Sequence, residues 1–197
     1  PAIDPLAPKN QDLSPDDVMG ALTRAGIIDG LEVADAGFTR TNGERVQFDI
    51  QAEIVRSQSA PGPETPIVMQ VSRWDPLKDM AGVMRGFAEF VAPSTTAHLM
   101  LVGPSVAAVS DDPEGRQVLD DTIEEWRNLP EPVRHRIHLV SLPMDDPEQN
   151  GALVNAIQRH SAVVVQKSLA EGFGLTVTEA MFKAKPVVAS AVGGIVD

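Results

Sequence analysis

Residues 162–190 read Ala-Val-Val-Val-Gln-Lys-Ser-Leu-Ala-Glu-Gly-Phe-Gly-Leu-Thr-Val-Thr-Glu-Ala-Met-Phe-Lys-Ala-Lys-Pro-Val-Val-Ala-Ser, and few folds accept that order. Ala162–Gln166 is continuously apolar and β-branched, the pattern of a strand buried on both faces, and Pro186–Ser190 repeats it after a helical interval. The stretch therefore predicts a βαβ unit. Two glycines, Gly172 and Gly174, fall where the strand's carboxyl end meets the helix's amino end, the edge at which open α/β sheets bind ligands. The fold class that follows is α/β, a Rossmann-like parallel sheet with helices on both faces.

Within the unit, Val177, Ala180, Met181 and Ala184 stand at i, i+3, i+4 and i+7 and predict the helix face packed on the sheet. Thr176, Glu179 and Lys183 then lie on another face. Backbone N–H groups in the first turn after the glycines lack intrahelical partners, and with the helix dipole they favour an anion. Glu171 in the loop and Glu179 in the helix would flank that anion with carboxylates, which accept hydrogen bonds from hydroxyl groups. A nucleotide sugar carries phosphate in the middle and hydroxyls at both ends.

Glu171 and Glu179 eight residues apart, Gly-Phe-Gly after the first, Glu-Ala-Met at the second, then Lys185-Pro-Val-Val-Ala-Ser190 and Gly193-Gly194, together resemble the nucleotide-sugar domain of retaining GT-B glycosyltransferases of family 4. Within that family the run Gln166–Thr176 is most similar to the trehalose synthase and retaining trehalose phosphorylase group, and Ile3–Asn10 looks like the interdomain segment of the same enzymes. The resemblance implies the carboxyl-terminal, donor-binding half of a GT-B fold. It implies a catalytic set of Arg73, Lys78 and Glu171, with Arg73 and Lys78 on the donor diphosphate and Glu171 on sugar hydroxyls. It also implies donor contacts from Gly172, Phe173, Gly174, Leu175, Thr176 and Leu142, and a ribose contact from Glu179. The donor would be UDP-, ADP- or GDP-glucose, with no metal and no cofactor. The acceptor, glucose or another sugar, would sit against an amino-terminal domain outside this chain. The resemblance further implies that the nucleotide base is met by backbone groups in the loop after the strand that ends at Leu142, contacts that leave little residue signature.

The rest of the chain supplies a scaffold for such a unit. Ser14 caps a helix with Pro15 at its first position and Asp17 three after the cap, and Gly26 suits its end. Residues 30–66 are rich in Gly, Thr, Asn and charge, with a brief alternation at Val46, Phe48 and Ile50, and predict a loop. Residues 1–65 thus read as an interdomain linker with a short helix, and 66–197 as the nucleotide-sugar-binding domain, cut short at its carboxyl end. Strands are expected over 66–72, 97–103 and 136–142. Ser72–Lys78 leaves the first of these toward a helix carrying Met80, Val83, Met84 and Phe87, so Arg73 and Lys78 fall at the same sheet edge as Glu171. Asp111 and Asp112, and later Asp146, mark helix starts rather than metal ligands. His135 and His138 have no carboxylate cluster beside them.

Composition narrows the partners. A net charge of −12 with 16 scattered basic residues argues against nucleic acid or an anionic membrane. No apolar run approaches the ~20 residues of a membrane span. The lack of cysteine excludes a disulfide framework and thiol chemistry, and a cytoplasmic location is the expectation. The chain opens without Met in a linker-like run and stops soon after a strand. It is expected to be part of a larger protein, binding donor without turning it over by itself, with a homo-oligomer left open.

Blander explanations exist for each group. Glu179 precedes Lys183 by four residues, the order of a solvated helical ion pair. Glu171 could complement the helix dipole, and Arg73 and Lys78 could be surface charge. A non-catalytic dinucleotide module is the alternative from another class, but Gly172-x-Gly174 continues to Leu-Thr-Val without the third glycine that fingerprint needs.

Overall fold

The computed structural model describes residues 3–106 and 112–196. Five parallel strands form most of one sheet: β4 (Ile67–Val71), β5 (His98–Pro104), β6 (Ile137–Leu142), β7 (Val163–Gln166) and β8 (Val187–Ala189). They lie where the apolar runs predicted them. A sixth strand, β3 (Glu53–Val55), pairs antiparallel with β6, and the order across the sheet is β3-β6-β5-β4-β7-β8. From β4 the chain steps to β5 and β6 on one side, then returns past β4 to β7 and β8 on the other. β4 and β7 are thus the switch point of the sheet, where exit loops diverge and leave a crevice at the strands' carboxyl ends.

Alternation along the strands divides the core between two faces. Ile67, Met69, Met100, Val102, Val140 and Val164 pack in one cluster with α1 (Pro15–Arg24) and α5 (Pro147–His160). Leu99, Leu101, Ile137 and Leu139 pack in the other with α2 (Met80–Gly86) and α3 (Pro113–Arg127). Helix starts follow their caps. Ser14 and Asp17 form a reciprocal capping box, and Asp112 and Asp146 accept from the N–H groups of Gly115 and of Glu148 and Gln149. Asp111, the other acid expected to cap α3, lies outside the described residues.

Three expectations change. Residues 30–66, expected as a loop, carry β3 and a hairpin of β1 (Gly37–Thr39) and β2 (Arg45–Gln47). These strands are three residues long, too short for a period to show in sequence. Phe38 and Phe48 from this region are fully buried in the α1–α5 cluster. Second, β8 is an edge strand with Val188 and Ala189 exposed, because only β7 flanks it. Third, the helix α6 (Leu175–Phe182) is rotated from its expected phase: Ala180 is buried, but Met181 is 64% exposed and Ala184 lies beyond the helix end at φ 56°. Its buried side is lined by Glu179, with Lys183 just past the last turn, because polar partners from distant segments meet both side chains there.

A short α4 (Glu131–Arg134) precedes β6. At the start of β5 and within β6, His98 and His138 stack, with ring centroids 5.2 Å apart and Nδ1 of His98 2.9 Å from Nε2 of His138. Burial, with His98 and Arg56 adding to it, pushes the His138 imidazole down to about 3. It is therefore a neutral core residue.

Candidate functional site

The loops leaving β4 and β7 meet at the switch point. Lys78 Nζ lies 2.7 Å from Glu171 Oε2, with side chains only 17% and 15% exposed. The contact joins residues remote in sequence that had been placed at one edge by topology alone. Ser168 Oγ donates to the same carboxylate oxygen at 3.1 Å and the Gly172 N–H to the other at 3.2 Å. Burial pushes the Glu171 carboxyl up, but Lys78, then Ser168 and the Gly172 N–H, more than offset it and hold the group below its ordinary range. Lys78 spends one of its three donors on this contact and Glu171 keeps lone pairs on both oxygens, so the pair can still take an anion and a hydroxyl.

The glycines of the loop have defined work. Gly174 is the N-cap of α6 at φ 68°, a left-handed conformation that L side chains rarely adopt. Gly193, at φ 51°, packs its turn so closely on the Glu171 loop that a Cβ there would collide with the Glu171 carbonyl oxygen, and the Gly194 N–H donates to the Gly172 carbonyl at 3.1 Å. Phe173 and Leu175 are exposed.

Glu179 is 7% exposed at its side chain and pairs with Lys9, not Lys183: Lys9 Nζ stands 3.0 Å from Oε1. Lys183 instead donates to Gln158 Oε1 at 2.7 Å and Asn10 Oδ1 at 3.3 Å. Burial outweighs the attraction of Glu179 and pushes the Lys183 ammonium down to about 8. The solvated Glu179–Lys183 pair is thus replaced by two buried arrangements. The second carboxylate oxygen, Oε2, is buried and meets no hydrogen-bond partner among the described residues. A buried unpaired carboxylate oxygen is costly and uncommon in folded proteins.

Beside these groups a cleft of about 310 Å³ opens over the ends of β4, β5 and β6, lined among others by Lys9, Arg73, Pro104, Leu142 and Thr176. Arg73 is 72% exposed and bonds Asp75 at 2.8 Å rather than Glu171. The cleft thus gathers Arg73, Leu142 and Thr176, while Lys78 and Glu171 stand together at the neighbouring loop junction. Lys9 and Ser168 were not foreseen. Lys9 had no signal beyond its place in the Ile3–Asn10 run, since its partner is at the other end of the chain. Among the described residues no group of three His, Asp or Glu side chains could hold a metal ion.

The description "Glycosyl transferases group 1" belongs to a family model that matches residues 51–197. The chain belongs to this family. As a group 1 glycosyltransferase chain it is 37% identical over 196 residues to a trehalose synthase of Rubrobacter xylanophilus and 35% identical over 195 residues to one of Thermococcus litoralis, matches covering 99% of this chain and 36% of each relative. The chain thus spans about a third of the length of those relatives. Among solved structures, the sucrose-phosphate synthase of Thermosynechococcus elongatus superposes with a TM-score of 0.51 at 29% identity, over 68% of this group 1 chain and 29% of that one.

Proposed function

We propose that this chain is the donor-binding part of a retaining family 4 glucosyltransferase that moves glucose from a nucleoside-diphosphate glucose to glucose, forming trehalose. The observation that supports the reading is the Lys78–Glu171 contact across the switch point, a cation of the kind that suits phosphate beside a carboxylate of the kind that suits hydroxyls, at the edge where α/β sheets hold nucleotides. Residues 66–197 carry the parallel strands of the nucleotide-sugar unit, 1–65 lead into it and pack α1, Phe38, Phe48 and β3 against the same core, and the acceptor is held by a domain outside the chain. The enzyme works in the cytoplasm.

In this reading Lys78 and Arg73 bind the diphosphate, Glu171 the glucose hydroxyls and Glu179, through its unpartnered oxygen, the ribose. Thr176 and the α6 amino end, with Gly172, Phe173, Gly174 and Leu175, face the donor, and Leu142 faces the base. The bond from the anomeric carbon to the diphosphate oxygen breaks with its electron pair leaving on the diphosphate. The acceptor oxygen bonds to that carbon and its proton passes to the departing diphosphate. Two cations stabilise charge that grows on the leaving group, an effect worth most where water is excluded.

Calorimetry of the protein carrying this chain with UDP-, ADP- and GDP-glucose tests the donor, and product analysis with glucose tests the acceptor. Binding of at least one nucleotide glucose and formation of trehalose are expected. Trehalose cleavage that needs inorganic phosphate and no nucleotide would replace the synthase with a phosphorylase. Binding of NAD with no nucleotide sugar would end the transferase reading.

A further inference from the structure

Two loops must be held in register for Lys78 to meet Glu171, and neither belongs to the same crossover. The side chain that spans them is Gln70, on β4 and wholly buried. Its Nε2 donates to the Lys78 carbonyl at 2.7 Å and its Oε1 accepts from the Lys167 N–H at 2.8 Å. Met80 Sδ, 3.4 Å from Nε2, takes the remaining donor direction. One carboxamide thus bonds the backbone of Lys78 on one side and, on the other, the backbone four residues before Glu171. A direct bond from the Leu169 N–H to the Leu77 carbonyl, 2.8 Å, runs between the same loops.

We propose that Gln70 is a positioning residue, which clamps the β4 exit loop to the β7 exit loop and so sets Lys78 against Glu171. The inference rests on the donor-site reading above for its effect on transfer. A carboxamide suits the task because it offers a donor and an acceptor in one plane, and the two backbone groups it meets require one of each. An apolar side chain of the same size would fill the space yet leave the part-buried Lys78 carbonyl and Lys167 N–H without these partners. A carboxyl group replaces both bonds only when protonated, since the ionised form cannot donate to the Lys78 carbonyl.

The test compares Gln70→Met and Gln70→Glu with the wild type in the protein carrying this chain. Amide hydrogen exchange over 72–79 and 167–174 is expected to quicken about tenfold in Gln70→Met, the scale of an unsatisfied part-buried pair, while the remaining sheet holds its protection. Transfer turnover should fall about 10- to 100-fold, more in kcat than in donor KM, because misplacement acts on the reacting geometry. In Gln70→Glu, whose carboxyl is raised by burial, activity relative to wild type should rise as pH falls from about 8 to 6. Exchange that quickens uniformly across the sheet, or stays unchanged in both loops, overturns the proposal, as does a flat activity ratio for Gln70→Glu. A protein in which Gln70→Met does not fold leaves Gln70→Glu to decide. A wild type that transfers no glucose from any nucleotide sugar refutes the functional reading, and the exchange pattern still decides the clamp.

Discussion

Lys9 and Glu179 come from opposite ends of the chain and meet at 3.0 Å beside the cleft. The meeting is prepared by the segment around Lys9. Asn155, fully buried on α5, donates to the carbonyls of Pro8 at 3.1 Å and Gln11 at 2.8 Å, and Arg159 donates to Gln11 at 3.0 Å. The amino-terminal run is therefore held where Lys9 forms part of the cleft wall.

Removing one member of this pair should cost more than removing both. Lys9→Met leaves a nearly buried carboxylate without its cation, and about 1–2 kcal/mol of stability should be lost, reduced from the fully buried case because Lys9 is half exposed. Lys9→Met combined with Glu179→Gln should recover most of it. Chemical denaturation of the four proteins of the cycle measures the coupling, and purely additive losses would refute it.

At low pH the Glu171 carboxyl should be a source of instability. Its affinity for protons is lower folded than unfolded, so its stabilising contribution is complete above the unfolded value near 4.5 and is lost as pH falls through the lower folded value. Denaturation midpoints measured from neutral pH downward should fall less steeply in Glu171→Gln than in wild type. Equal slopes would count against the Lys78 contact.

Lys183 acts in the opposite pH range. Its folded value of about 8 lies below the ordinary 10.5, so between these limits the unfolded chain holds more protons and stability rises with pH. Wild type should gain stability between about pH 8 and 10 relative to Lys183→Met, whose curve lacks this contribution. A wild-type curve that falls in parallel with the variant's would show that the ammonium is not disfavoured by its burial.

Gly193→Ala should damage the Glu171 loop from outside. The residue combines a left-handed φ with contact against the Glu171 carbonyl, and the strain and displacement together should cost about 1–3 kcal/mol. Gly43→Ala, at φ 88° with open space around it, carries the strain without the contact and should cost less. Comparing the thermal midpoints of the two separates the effects.

The parallel strands and helix starts were legible in sequence because their causes are local: Val163–Gln166 carries its own apolar run, and Ser14, Asp112 and Asp146 cap the helices they precede. Placing Lys78 and Glu171 at one edge also followed, because both sit in loops that leave the carboxyl ends of parallel strands; that β4 and β7 are neighbours did not. Nor did the side chains meeting there. α6 defeats periodicity because its exposed side holds Leu175, Met181 and Phe182 while its buried side holds Glu179, whose partner Lys9 is named by no pattern. Gln70 likewise reads as a polar interruption in an apolar strand until the two backbone groups it satisfies are seen.

If the proposed donor site is right, the Lys78–Glu171 contact also implies proton uptake on binding. An anion that draws on Lys78 takes part of the cation's field from Glu171 and adds its own negative charge nearby, so both effects raise the carboxyl's affinity for a proton. Ligand and proton then favour one another at this junction, and by reciprocity the anion binds more tightly as the solution is acidified toward the carboxyl's range.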